Sequence, residues 1–277
     1  MAIALGLFAA AFYGAADFCG GFATRRSSMF AVAILSQAVG FAILLVIIPF
    51  FPGHAGRIDY FWGLLAGVCG GLGLALLYHA LSIGKMGVVS PITAVLAASL
   101  PVFVGVVRGE HLSPAQMLGI GVALAAVVLI SISTEDEGKI EFASAGVREA
   151  ILSGLVLGGF YLFLAQAGPH AGLYPLIAAR LGSIGFLLLV AVLLHQSVRP
   201  ARGAVRLIAV AGSLDMTANA LYVLATFAGY LSIAAVLTSL YPASTVLLAR
   251  VVLKERLQPI QWLGVALALV GVGLIAL

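Results

Sequence analysis

The segment 93–132 recurs without a gap at 238–277, and that duplication constrains the fold more than any other feature of the chain. A constant step of 145 positions carries Glu110 to Glu255, Leu112 to Leu257, Pro114 to Pro259, Gln116 to Gln261, Leu118 to Leu263 and Gly119 to Gly264. Each copy is an apolar span, a charged corner (Gly109-Glu110-His111 against Lys254-Glu255-Arg256), a proline and a second apolar span. Apolar sequences resemble one another by composition alone. Composition does not, however, align the scarce residues Glu, Pro and Gln over an ungapped run. Self-similarity at one fixed offset means a fold built from two copies of one unit.

The medium in which that unit folds follows from the charge content. Of 277 residues 63% are hydrophobic and 9% charged, with a mean hydropathy of +1.19; a soluble domain carries about 25% charged residues to cover its surface. A bilayer core about 30 Å thick takes about 20 apolar residues at 1.5 Å each. Ten such runs fill the chain, at 2–24, 29–51, 60–83, 88–107, 114–133, 150–168, 173–195, 204–227, 231–250 and 259–277, leaving no room for a soluble domain. The first run has neither a basic leader nor a cleavage site before it, so it is expected to be retained as a span. Cys19 and Cys69 lie inside apolar runs without pairing or metal-ligand spacing and read as small packing residues.

The fold class expected is therefore an all-α membrane protein of ten transmembrane helices in two five-helix repeats, 1–133 and 150–277, joined by a connecting loop at 134–149 that holds most of the acids. Weaker matches continue the duplication: Gly6, Phe12 and Tyr13 against Gly154, Phe160 and Tyr161; Gly40-Phe41 against Gly185-Phe186; Leu77-Tyr78 against Leu221-Tyr222. Five is odd, so the second repeat must enter the membrane the opposite way up. Loop charge tests this independently. Arg25, Arg26, Lys85, Lys139, Arg148, Arg199, Arg202, Arg206, Arg250, Lys254 and Arg256 follow odd-numbered spans, and only Arg57 and Arg108 follow even-numbered ones. The Lys/Arg excess marks the cytoplasmic side, which places the connecting loop in the cytoplasm and both termini outside it. The expected location is the plasma (bacterial inner) membrane.

Two inverted five-span repeats place a site near the midplane between the halves, as in secondary transporters. With the Lys254-Glu255-Arg256-Leu257 corner, preceded by Pro242 in the ninth span and followed by a glycine-rich last span, the chain resembles the drug/metabolite transporter superfamily in its EamA-type branch. The first half departs from the second: Ala97 stands where Pro242 stands, and its proline is displaced to Pro101. The resemblance covers the whole chain and implies export of small metabolites, amino acids among them. It specifies the fold and is nearly silent on the substrate.

Four ionisable residues sit well inside spans: Asp17, His79, Arg180 and Asp215. At a helix centre Asp or Arg costs about 2.5–3.5 kcal/mol on the insertion scale, so each must face protein or a watery cavity. Arg180 and Asp215 lie at similar depth on consecutive spans, either as a structural charge pair that orients them or as anchors for a zwitterion. Asp17, one turn after Tyr13, is a cavity carboxylate for a substrate amine or a coupling proton, or else a locally bonded group that reaches the interface. His79 is a packing residue or a proton relay. Around these, Ser90, Thr93 and Ser99 in the fourth span and Thr238, Ser239, Tyr241 and Ser244 in the ninth offer polar groups, and the 145 step carries Ser99 to Ser244. Pro91, Pro101 and Pro242 each remove a backbone donor within a span. The candidate binding set is Tyr13, Asp17, Tyr78, His79, Ser99, Tyr222, Tyr241 and Ser244. Glu110 and Glu255, at span ends, are expected to make local corner hydrogen bonds.

These features favour a secondary carrier over the alternatives. No Walker motif appears, which excludes direct ATP drive, and no ATPase subunit is implied. A membrane enzyme acting on lipids would need clustered acids or histidines at metal-ligand spacing, and the two intramembrane acids are expected to be far apart and isolated; no metal, cofactor or catalytic residue is expected. The net charge of +4 is too small and dispersed for nucleic acid. The expected partners are the lipid bilayer and a small-molecule substrate: an amino acid first, with nucleosides, sugar phosphates and drug-like compounds as the other classes.

Overall fold

The computed structural model describes residues 2–107, 113–131, 133–134, 140–141, 145–164, 166–167, 169–227, 240–255, 257–275 and 277. Among these residues the chain forms ten α-helices. In the first half they are α1 (Ala2–Thr24), α2 (Met29–Ile47), α3 (Arg57–Ile83), α4 (Met86–Val107) and α5 (Pro114–Ser131). In the second they are α6 (Val147–Leu164), α7 (Tyr174–Leu193), α8 (Val205–Phe227), α9 (Tyr241–Val252) and α10 (Pro259–Ile275). From the described residues alone, α1, α2 (with the short 3-10 turn Ile48–Phe50 that continues it), α3, α6 and α7 are long and apolar enough to cross a bilayer. Large apolar side chains such as Val46, Met117, Val192 and Val251 point outward, as a lipid-facing surface requires.

Helix ends follow local chemistry. Ser28 caps α2 by accepting the Ala31 N–H at 3.1 Å. Asp59 accepts the Gly56 N–H at 2.7 Å and starts α3 at Arg57 rather than at 60. The same step of 145 carries Ser113 to Gln258 and Gln116 to Gln261, and the two corners fold alike. The Gln116 amide oxygen accepts the Ser113 N–H at 3.0 Å, and that of Gln261 accepts the Gln258 N–H at 3.1 Å. The helix α6 starts at Val147, earlier than the 150 expected, after Gly146 turns the chain with φ +86°. Where the expected fifth span passes into the connecting loop, β1 (Ser133–Thr134) pairs antiparallel with β2 (Ile140–Glu141), an element the sequence pattern does not announce. The sequence places the ninth span from 231; residues 228–239 lie outside the described residues. Pro242 falls in the first turn of α9, where its missing N–H is no loss, instead of interrupting a helix.

The repeats interlock rather than sit side by side. α1 packs on α8 and α6 on α3; α2 packs on α8 and α7 on α3; α1 packs on α9 and α6 on α4. The pairs α2–α7, α4–α9 and α5–α10 are each their own image under exchange of the halves. The loops obey the same exchange. The α1–α2 turn bonds the α7–α8 loop, through Ser28 Oγ to the Ser197 carbonyl at 2.6 Å and the Ala201 N–H to Ser27 Oγ at 2.8 Å. The α2–α3 loop bonds the α6–α7 turn, through the His54 N–H to the His170 carbonyl at 2.9 Å. Two inverted repeats related by a pseudo-two-fold axis in the membrane plane produce this pattern.

Small residues permit the close crossings. Gly63, Gly67 and Gly71 on α3 face Pro175, Ala179 and Ser183 on α7, each stripe stepping by four residues, and a Cβ on any of the three glycines would strike the partner's backbone. In lipid, where no hydrophobic force drives helices together, this contact is the main source of cohesion. Symmetry ends inside the repeats. α1, α2 and α3 also pack on one another, whereas among the described residues α6, α7 and α8 show no comparable packing.

Candidate functional site

A polar cluster built from α1, α2, α3, α6, α7, α8 and α9 lies at the interface between the repeats, with Tyr161 of α6 exposed at its edge. Its fixed part is centred on Arg180 of α7. One guanidinium nitrogen donates to Asp215 Oδ2 of α8 at 2.7 Å, the other to the Gln37 side-chain oxygen of α2, and the Met216 sulfur lies at 3.8 Å. Asn219 Nδ2, one turn further along α8, donates to the Asp215 carbonyl at 2.8 Å and to its carboxylate at 3.4 Å. Arg180 is 7% exposed and Gln37 6%. A buried pair holds only when its remaining hydrogen-bonding capacity is met, and here three helices meet it. Arg180 and Asp215, separated by 35 positions, are brought into direct contact.

Opposite this pair stands the free part. Asp17 of α1 is 9% exposed, yet among the described residues no hydrogen bond or ion pair reaches its carboxylate. It lies within electrostatic range of Asp215, of Tyr78 on α3, of Tyr161 on α6 and of Tyr241 on α9. Tyr13, one turn before it, faces Tyr161, Tyr222, Asp215 and Arg180, and its ring meets that of Tyr241 edge-on with centroids 6.5 Å apart. Tyrosine suits such a place, with an apolar ring wall and a polar tip. The two acids, far apart in sequence, therefore lie within electrostatic range of each other across the α1–α8 crossing.

The other candidates fall in different places. Tyr78 is 1% exposed; its ring packs over Gly20 of α1, and its hydroxyl faces Ser36. It seals the cluster rather than lining open space. Its repeat equivalent, Tyr222, is only half-buried. Ser244 packs its Cβ against Gly14 of α1, and the neighbouring Thr245 hydroxyl donates to the Gly14 carbonyl at 3.1 Å. The hydroxyls of Ser90 and Ser99 on α4 are buried without a partner among the described residues. Thr93 donates to the Ala150 carbonyl at 3.2 Å and so ties α4 to α6. His79 stands away from the cluster, half-buried in a separate recess of about 620 Å³ with Arg25, Ser27, Ser28, Ser82 and Gln196.

The corner at Glu255 departs from the local bonding expected of it. Its carboxylate accepts the backbone N–H groups of Met86 and Gly87, 169 and 168 positions away, both at 3.2 Å, and Arg25 lies 3.5 Å from it. Glu110 lies outside the described residues, as do Thr238 and Ser239. Five members of the cluster are absent from the sequence-derived set: Gln37, Ser36, Tyr161, Met216 and Asn219. Gln37 carries the clearest missed signal, a lone amide in an apolar run that must find a partner in the bilayer. Tyr161 is visible as the repeat equivalent of Tyr13.

A helical membrane protein with interlocked inverted repeats and a polar cluster at their interface belongs to the class of small-molecule transporters. The chain matches the EamA-like transporter family twice, over residues 1–132 and 145–277, and belongs to that family; it is a membrane transporter of small molecules. A solved structure titled "Crystal structure of protein" shares the fold, with a TM-score of 0.61 at 16% identity, covering 99% of this chain and 95% of that one. No curated protein matches the sequence.

Proposed function

We propose that the protein is a secondary carrier that exports small metabolites, amino acids first among them, by alternating access at the cluster between its repeats. The observation that carries this reading is the carboxylate of Asp17, a residue 9% exposed that no described residue bonds, set among tyrosines. An uncompensated charge in such a place is costly, and the ammonium of an amino acid would compensate it. Hydroxyls of Tyr13, Tyr161, Tyr222 and Tyr241 supply donors for the opposite end of a zwitterion. Arg180 is already engaged by Asp215 and Gln37, so among the described residues the cluster offers no free cation of the kind a sugar phosphate would require.

The closure around Tyr78 and the looser surroundings of Tyr222 support a conformation shut at the end where α1 and α3 finish. By the loop charges that end is cytoplasmic, both termini lie outside, and the membrane is the plasma (bacterial inner) membrane. Tyr78 and Tyr222 are then paired gates that tighten in alternation. Uptake of radiolabelled amino acids by proteoliposomes tests the substrate class. Ser244→Trp, which places an indole against Gly14, is expected to lower that uptake by about tenfold or more with expression intact. Normal uptake by this variant would move the site elsewhere. A reporter that is active only in the cytoplasm, fused after Leu277, is expected to be silent.

A further inference from the structure

The corner that closes α9 reaches across the molecule to the start of α4. Glu255 Oε1 accepts the Met86 N–H and Oε2 the Gly87 N–H, both at 3.2 Å, and Arg25 Nη2 lies 3.5 Å from Oε1. The first N–H groups of a helix have no partner within it, and the helix dipole adds about half a positive charge there. Most helices meet this need with a Ser, Thr, Asp or Asn just before the first turn. Here Gly84 and Lys85 precede α4, and neither carries a side-chain acceptor. The helix therefore takes its cap from the opposite repeat, and that cap exists only while the two repeats stand in this arrangement. Glu255 is 13% exposed, so a rotamer change into solvent releases it without moving backbone. Behind it the seal is apolar: a Cβ at Gly87 would meet Leu257 at 3.0 Å, and Gly20 and Gly21 receive Tyr78 and Leu81.

We infer that Glu255 is a releasable latch, which ties the ends of α1, α4 and α9 together in the closed state and lets go each time that mouth opens. The inference rests on the alternating-access reading above. The step of 145 also carries Glu255 to Glu110 and Met86-Gly87 to Leu231-Ser232. Of the latch residues only the carboxylate recurs in sequence, as Glu110; these positions lie outside the described residues, and the test does not depend on them.

Ser90, one turn into α4 and fully buried behind the latch, reports its state. In a background lacking Cys19 and Cys69, Ser90→Cys is expected to react slowly with a polar maleimide. Adding Glu255→Gln or Glu255→Ala is expected to speed labelling about tenfold, the scale of one charge-assisted bond pair, and Arg25→Ala to speed it less. An unchanged rate in both Glu255 variants, with folding verified by gel filtration, overturns the latch. A second arm keeps Glu255 in place. Gly87→Cys with Leu257→Cys, joined by a short reducible bis-thiosulfonate, is expected to block amino-acid uptake in proteoliposomes, and reductant to restore it. Uptake that persists in fully joined protein overturns the latch equally. Labelling uses no substrate, so faster labelling without amino-acid uptake rejects the proposed substrate and leaves the latch standing.

Discussion

The duplication makes two equivalent crossings between the repeats, α1 on α8 and α6 on α3, and the chain uses them for opposite purposes. At the α3–α6 crossing small groups let the helices close up. A Cβ at Gly73 would lie 2.7 Å from Leu157, one at Gly70 would lie 2.9 Å from Phe160, and Ser153 donates to the Gly73 carbonyl at 2.7 Å. At the α1–α8 crossing stand two carboxylates, Asp17 and Asp215, with Tyr13 and Tyr222 beside them. Neither acid has an acidic counterpart: the repeat carries Asp17 to Ala165 and Asp215 back to Gly71. Once a fold holds two copies of a contact, one copy suffices for cohesion, and the other is free to hold groups that cohesion alone would reject.

The strongest way to break this contrast is to remove the group that makes the polar crossing tolerable. Arg180→Ala strands the Asp215 carboxylate and the Gln37 amide, and loss of one partner of a buried pair destabilises by about 3–5 kcal/mol. The variant is expected to unfold at a clearly lower temperature in detergent micelles. The double change Arg180→Met with Asp215→Leu is expected to recover most of the loss, because an apolar pair of similar volume leaves no charge buried. If the single variant is as stable as the parent, the pair is not what holds α2, α7 and α8 together. If the double variant is stable but does not transport, the pair also serves the substrate.

At the apolar crossing the expected effect is smaller and purely steric. Gly73→Leu forces a side chain into space that Leu157 and the α6 backbone already fill. Overpacking of this kind costs about 1–3 kcal/mol, read as a lowered melting temperature. A transport defect in this variant without loss of stability would mean that the α3–α6 crossing moves during the cycle, and that the division between a cohesive and a chemical crossing is false.

Much of this architecture is written in the chain. The ungapped step of 145 and the lopsided distribution of Lys and Arg already imply two inverted repeats, because both are properties of local sequence and span count. The pairing of Arg180 with Asp215 follows from the same logic, since two intramembrane charges at like depth on neighbouring spans seek each other. What the sequence leaves open is which residues meet across the interface. That Asp17 approaches Asp215 depends on the crossing of α1 with α8, a contact between non-consecutive helices that hydropathy does not encode. Gln37 escapes attention because it is uncharged, although a bilayer demands a partner for an amide as well. Glu255 looks like a local corner because corners of that type cap their own helices. Only the absence of an acceptor before Met86 hints that it serves another one.

The finest test of the contrast separates the two carboxylates from each other. Asp215 is held by Arg180 and Asn219, whereas no described residue bonds Asp17. Asn has nearly the volume of Asp but no charge. At Asp215 that change leaves Arg180 without its anion, and a loss approaching that of Arg180→Ala is expected. At Asp17 the same change breaks no bond among the described residues, and it removes a charge that none of them neutralises. The melting temperature of Asp17→Asn is therefore expected to be no lower than the parent's, and higher to the extent that the lone charge costs the folded state. Transport separates the readings further. If Asp17 meets the ammonium of the substrate, the charge-assisted bond weakens to a neutral one, and amino-acid uptake falls about tenfold or more. Stability and transport lost together would make Asp17 a structural residue; neither changing would take it out of the pathway.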